Sequence, residues 1–227
     1  MTTTLITGAD KGLGHETARQ LLAAGHDVWM GSRDAARGEE AARRLGGRCV
    51  QLDVTDDDSV AAAVKTVGEL DVLVNNAGIA GGPTPVAEAT ADDLRRLYET
   101  NVFGVVRVTH AFLPVLEKSR GPVIVNVSSG LGSFARATDP AATESAYRSL
   151  TYGSSKAALN MLTVQYAKAF PGIRINCVDP GYTATDLNGF RGTQSIPEGA
   201  EVIVRMALVR NDGPTGGYWD RAGRVPW

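Results

Sequence analysis

The 227 residues fit one large α/β domain better than two, and at that length roughly 70% of the surface can be buried on folding. With 43% hydrophobic and 21% charged residues and a formal net charge of −2, without a long run of one sign, nothing demands nucleic acid or an anionic membrane as partner. No apolar run approaches the ~20 residues of a membrane span, and the chain goes straight into Thr-Leu-Ile-Thr-Gly-Ala with no leader-like pattern, so a cytoplasmic protein is expected.

Short β-like runs alternate with longer helical patterns. Thr3–Thr7 is an apolar run entering a glycine turn. Leu13–Ala24 has a helical apolar pattern stopped by Gly25, and Asp27–Gly31 returns to strand character. Ala35–Leu45 is an Ala/Arg/Glu-rich helix ended by Gly46 and Gly47, and Arg48–Leu52 is a third strand. Asp56 or Asp57 can cap a helix over Ser59–Thr66, before a fourth strand at Asp71–Asn75. Thr90 can cap a helix that starts at Ala91. A long helical stretch is expected from Asn101 to about Lys118, with Pro114 kinking its last turns. Pro122–Val127 is a fifth strand whose Val/Ile content suits burial on both faces. A long helix over Thr151–Phe170 ends at Pro171-Gly172. Ile173–Val178 is a sixth strand, Glu198–Val209 the last helix and Gly217–Trp219 a short seventh strand.

This alternation predicts βαβ units. Right-handed crossovers then give a single Rossmann-like, doubly wound parallel sheet of about seven strands with helices on both faces. Ligands of such sheets bind beyond the carboxyl ends of the strands. Cys49 and Cys177 lie in apolar runs outside any CxxC pair and read as buried small hydrophobes. His15, His26 and His110 have no metal-ligand spacing, so no metal is expected.

Thr7-Gly8-Ala9-Asp10-Lys11-Gly12-Leu13-Gly14 joins the first strand to the first helix. Glycines let the turn bend and a pyrophosphate approach, and free N–H groups at the helix start favour negative charge. Gly8, Asp10, Lys11, Gly12, Leu13 and Gly14 are therefore expected at a dinucleotide. Asp53 and Val54 end the third strand, where Asp53 could accept from an adenine amino group or merely serve a turn. Asn75-Asn76-Ala77-Gly78 ends the fourth, where Ala77 and Gly78 permit close approach and an Asn can tie strand ends together. NAD binding usually places an acid after the second strand, to accept from the ribose 2′-OH. Here Ser32 holds that place and Arg33 follows. Arg33, with Lys11, can pair with a 2′-phosphate, which favours NADP(H). Asp34 could cap the second helix or reach the ribose.

Tyr152 and Lys156 stand four apart on one helix face. A lysine cation lowers the pKa of a nearby phenol, which can then pass a proton to a carbonyl oxygen or take one from an alcohol. Ser128-Ser129 adds a hydroxyl to hold the substrate oxygen, and Asn101, at the start of its helix, could hold a water or a helix carbonyl in a proton path.

The strings TGADKGLG (Thr7–Gly14), NNAG (Asn75–Gly78), Asn101 in TNVFG, VNVSS (Val125–Ser129), YGSSK (Tyr152–Lys156) and DPGYTATD (Asp179–Asp186) occur in one order. As a set they closely resemble the short-chain dehydrogenase/reductase family, its carbonyl-reductase-like branch most of all. The resemblance implies a catalytic tetrad of Asn101, Ser129, Tyr152 and Lys156, with Ser129 preferred over Ser128. It implies that Lys156 also holds the nicotinamide ribose, that Asn76 touches the adenine-side ribose, and that Pro180, Gly181 and Thr185 border the nicotinamide. Tyr182 and Thr183 would contribute backbone groups. The branch implies NADPH-driven reduction of a ketone or aldehyde.

Ser129 and Tyr152 are 23 positions apart, about twice the family's usual gap. The extra segment, roughly 134–150, reads either as a plain surface loop or as a wall of the substrate pocket that covers a helix face used in oligomers. A longer insert accompanies monomeric carbonyl reductases, so a monomer or a homodimer is expected. Leu187–Pro197 would be a short substrate loop, and Phe134, Tyr147, Tyr182, Leu187 and Phe190 are candidate pocket residues. An NADP(H)-binding sensor without turnover would need only the cofactor half of these motifs. An epimerase would need a larger C-terminal substrate domain than the ~45 residues after Gly181 supply.

Overall fold

In the computed structural model, which describes residues 1–82 and 84–227, one mixed sheet organises the chain. Its strands are β1 (Thr3–Ile6), β2 (Asp27–Ser32), β3 (Arg48–Gln51), β4 (Val72–Asn75), β5 (Val123–Val127), β6 (Arg174–Val178), β7 (Tyr218–Asp220) and β8 (Gly223–Arg224). Their spatial order is β3-β2-β1-β4-β5-β6-β7-β8. Every pair is parallel except the β7–β8 hairpin, so the doubly wound sheet expected from the alternation is present with one strand more.

Alternate residues of the strands enter two different cores. Leu5, Leu73, Ile124 and Ile175 pack with α3 (Asp57–Val67), α5 (Gly104–Leu116) and α7 (Leu150–Ala169). Ile6, Val74, Val125 and Val178 face the opposite layer of α1 (Gly12–Ala23), α2 (Ala35–Leu45) and α8 (Ile196–Ala207). Burial of each such side chain stabilises by about 1.5–3 kcal/mol, and β5 is buried at all five positions, which suits its Val/Ile-rich run.

Two expectations about helices change. Thr90 does cap α4 (Ala91–Tyr98), in a reciprocal box with Asp93. However, α4 passes through a π-turn, Glu99–Phe103, directly into α5, so Asn101 lies inside one continuous helical stretch and not at a helix start. Helix α5 ends at Leu116, two residues after Pro114 and short of Lys118. The 134–150 segment is no irregular loop either. It holds α6 (Phe134–Thr138), capped by Ser133, and a 3-10 turn at Thr143–Ala146.

Candidate active site

A cleft of about 470 Å³ opens beyond the carboxyl ends of the strands. Its floor begins at the glycine turn, where Gly8 (φ +62°) and Gly12 (φ +58°) take a left-handed backbone that other residues rarely adopt. A Cβ on Gly14 would sit 2.5 Å from Asn76 Nδ2 and from Gly8 O. Asn76 Nδ2 donates to Thr7 O (2.9 Å) and Gly8 O (3.0 Å), while Thr7 Oγ1 accepts from the Asn76 and Ala77 N–H groups. The turn and the NNAG string therefore hold each other in place. Lys11, at the N-cap of α1, makes no side-chain capping bond, which leaves the helix-start N–H groups to meet an anion.

At one end of the cleft stand Arg33 and Arg37. Arg37 Nε lies 3.1 Å from Asp34 and 3.7 Å from Asp10. Ser32 is buried, and its hydroxyl donates to Asp34 O (2.8 Å). Asp34 caps α2 by accepting from Arg37 N, the first of the two roles open to it in the sequence. Lys11 reaches across the cleft to an ion pair with Asp186. Asp53 lines the wall while its carboxylate accepts from Thr55 N (2.9 Å) and Thr55 Oγ1 (2.7 Å).

At the other end, Tyr152 and Lys156 project from one face of α7 into the cleft. Lys156 Nζ lies 5.6 Å from the Tyr152 ring centre and donates to Val127 O (2.8 Å), while the Ser129 hydroxyl accepts from Leu131 N (3.4 Å) on the loop after β5. Ser128 turns inward, donating to Asn160 Oδ1 (2.6 Å). Burial pushes the Tyr152 phenol up to about 12; the Ser129 hydroxyl opposes this rise and the Asp179 charge adds to it. Burial likewise pushes the Lys156 ammonium down to about 8. Burial thus raises the phenol, against the lowering by the lysine that the sequence suggested. Asn101 is fully buried; its Oδ1 accepts from Ile79 N (2.9 Å), and its Nδ2 donates to Ile79 O (2.8 Å) and Ser155 Oγ (3.1 Å).

The family model for short chain dehydrogenases matches residues 2–195. The chain belongs to that family. It is 38% identical over 220 residues to the short-chain dehydrogenase anuI of Penicillium roqueforti, covering 89% of this chain and 87% of that one. It is 32% identical to the (+)-neomenthol dehydrogenase of Capsicum annuum, covering 96% and 95%. An NADPH-bound carbonyl reductase from chicken fatty liver superposes with a TM-score of 0.87 at 27% identity, covering 100% and 99%. The carbonyl-reductase-like character expected from the sequence agrees with these relatives.

Within this short-chain dehydrogenase/reductase fold, Gly8, Asp10, Lys11, Gly12, Leu13, Arg33, Asp53, Val54, Asn76, Ala77, Gly78, Tyr152, Lys156, Pro180 and Thr185 line one cleft. Gly14, Ser32, Gly181 and Thr183 do not line it. Gly14 makes room for the loop, and Gly181 takes φ +73° in the turn after β6. Thr183 is buried, and its hydroxyl donates to Pro180 O (3.1 Å). Asn76 lines the wall, but its amide hydrogens already serve the glycine turn, so a ribose would meet its remaining surface. Of the five candidate substrate residues only Leu187 lines the cleft; Phe134, Tyr147, Tyr182 and Phe190 are exposed outside it. Sequence reading missed Arg37, one helical turn beyond Asp34, and Asp186, the partner of Lys11. A helix wheel on α2 could have found the first; nothing local marks the second.

Proposed function

We propose that the protein is an NADP(H)-dependent reductase of small-molecule ketones or aldehydes. The observation that carries this reading is the placing of Tyr152 beside Lys156 at one end of a glycine-cradled cleft whose other end presents two arginines. The residues fit the dinucleotide. The turn keeps its shape because Gly8 and Gly12 take a left-handed backbone and Gly14 has no Cβ to strike Asn76, and the N–H groups at the start of α1 would supply a pyrophosphate with counter-charge. Arg33 and Arg37 are the charge partners a 2′-phosphate needs, with Ser32 where an acid would repel it.

NADPH, when bound, supplies the hydride. In the chain itself, Ser129 Oγ holds the substrate oxygen and the Tyr152 phenol donates its proton to that oxygen as the carbonyl is reduced. A phenol with its midpoint near 12 stays protonated throughout the neutral range, which suits a general acid for reduction. Lys156, with its midpoint near 8, is largely cationic at pH 7 and stabilises the phenolate left behind. It also stands where it would hold the nicotinamide ribose hydroxyls. Asn101 acts one layer back: it locks the Ile79 backbone beside Gly78 and ties it to α7 through Ser155.

The test is NADPH oxidation followed by absorbance over a broad carbonyl panel, with Tyr152→Phe alongside. Turnover by the native protein should fall by on the order of 10²-fold or more in the variant, while NADPH binding followed by fluorescence persists. Tight cofactor binding with no turnover on any carbonyl would favour a sensor and sink the reductase reading.

A further inference from the structure

The segment between Ser129 and Tyr152 carries an arginine that the proposed chemistry has not used. Arg136, in α6, is half-buried and meets three carboxylates from three different parts of the chain. Its Nη1 lies 2.9 Å from Asp179 and 3.4 Å from Glu144, and its Nη2 pairs with Asp220. Glu144 belongs to the same insert, Asp179 follows β6 and Asp220 ends β7. Asp179 is only 6% exposed. Its Oδ1 accepts from Gly181 N (3.0 Å), and the Gly130 N–H also favours its charged form. Gly130 directly follows Ser129, and Gly181 follows Pro180, which lines the cleft. A Cβ on Gly130 would strike Glu144 Oε1 and come within 2.9 Å of Asp179 Oδ2, so glycine is what lets both carboxylates close over the backbone behind Ser129.

We propose that Arg136 is a positioning residue for Tyr152: it pins the Asp179 carboxylate between the Ser129–Gly130 and Pro180–Gly181 backbones and offsets the charge placed behind the phenol. This rests on the reading of Tyr152 as the acid–base group. Lys156 faces the phenol from its own helix, and Ser129 of the loop after β5, Asp179 at the end of β6 and the Tyr218 phenol of β7 act on it electrostatically. Asp179 is in turn surrounded by Arg136 and Glu144 of the insert, Asp220 and the Tyr218 phenol of β7, and Cys177 on β6. One guanidinium thus answers three carboxylates, and burial raises Asp179 despite it. The Asp179 charge raises the Tyr152 midpoint, and removing it lowers that midpoint. Removing Arg136 leaves the carboxylates uncompensated and raises it further.

Two variants should therefore move the tyrosine in opposite directions. In the alcohol-oxidising direction with NADP⁺, the rise of kcat/KM with pH reports the phenol. Asp179→Asn should move its midpoint down and Arg136→Gln should move it up, each by roughly half a pH unit or more. Arg136→Lys, which keeps the charge, should return it toward the native value, and with Asp179→Asn it carries the test if Arg136→Gln fails to fold. Unmoved midpoints, or shifts in one common direction, would overturn the proposal and leave Arg136 a mere staple of the insert. Should the native protein turn over no alcohol or carbonyl, the functional reading falls. The same midpoints can then be read from phenolate absorbance after a rapid pH jump, with Tyr152→Phe as blank, and those decide the role of Arg136 separately.

Discussion

Lys11 and Asp186 come from opposite walls of the cleft, 175 positions apart in the chain, and form an ion pair across it. Both side chains are about half exposed, so the pair itself contributes little to stability. Its consequence is for binding. A phosphate approaching Lys11 must compete with Asp186, whereas Arg33 makes no ion pair among the described residues. Arg33→Ala and Arg37→Ala should each raise the Kd for NADPH by roughly 10- to 100-fold with little change for NADH, the scale of a lost charge-assisted hydrogen bond. Equal losses for both cofactors would remove the 2′-phosphate assignment. Asp186→Asn should do the reverse, tightening NADPH several-fold at low salt, with the gain fading as salt screens the charges. Isothermal titration at two ionic strengths reads both effects, and a weaker or unchanged NADPH affinity in Asp186→Asn would show that no competition exists. Lys11 and Arg33 were legible in the sequence because each abuts a motif whose geometry is local. Arg37 was legible only in part: its spacing from Asp34 is local, but its approach to Asp10 depends on how α2 leaves the sheet. The Lys11–Asp186 pair depends on a loop at the far end of the chain.

Elements whose form follows from short-range rules were the ones the sequence specified best. Strands β1 to β6 lie between turn residues, and their alternate positions divide between two helical layers. Strand β7 was expected at Gly217–Trp219, but β8, and with it the hairpin, escaped because a two-residue strand has no periodicity. What makes it is Asp220 Oδ1 accepting from Ala222 N (2.8 Å) and Gly223 N (2.9 Å), with Gly223 at φ +144°. The π-turn at Glu99–Phe103 escaped because its cause is tertiary: Asn101 is drawn inward to the Ile79 backbone, and Gly104 lies so close to Val54 that a Cβ would come within 2.8 Å of its Cγ2. The first turn offers a direct test of fit. Gly14→Ala forces a methyl against Asn76 and Gly8 O, and should cost about 1–3 kcal/mol and weaken NADPH binding as well. Gly25→Ala is the control. Gly25 has φ +86° with nothing within 4 Å of a Cβ, so it should lose about 1 kcal/mol from backbone strain alone and bind the cofactor normally. Urea midpoints and fluorescence titrations of both variants check this, and normal binding by Gly14→Ala would show that the turn adapts.

For the whole molecule, placing Lys156 and Tyr152 on a buried face of α7 couples the proposed catalysis to stability. Lys156 is 4% exposed, and its ammonium is pushed down to about 8 from an ordinary 10.5 by burial. Below pH 8 the ammonium is charged in both folded and unfolded chains, and the folded state carries the full penalty of burying it. Between about 8 and 10.5 the unfolded chain binds more protons than the folded one, so this group's effect on stability becomes more favourable as pH rises, by up to about 3 kcal/mol. Tyr152 acts the other way at higher pH. Its folded midpoint near 12 lies above the ordinary 10, so the folded chain holds a proton that the unfolded chain has lost, and stability falls as pH climbs past 10. Lys156→Met keeps the length of the side chain and removes the titration. The native-minus-Met difference in unfolding free energy should therefore climb between pH 8 and 10, with the variant the more stable of the two at pH 7. Urea denaturation at pH 7, 8, 9 and 10 measures it, and a flat or falling difference would show that water or neighbouring dipoles already solvate the ammonium. A climbing difference would mean that the chain tolerates a destabilising buried cation where the proposed reaction needs a phenolate stabilised, which packing alone would never select.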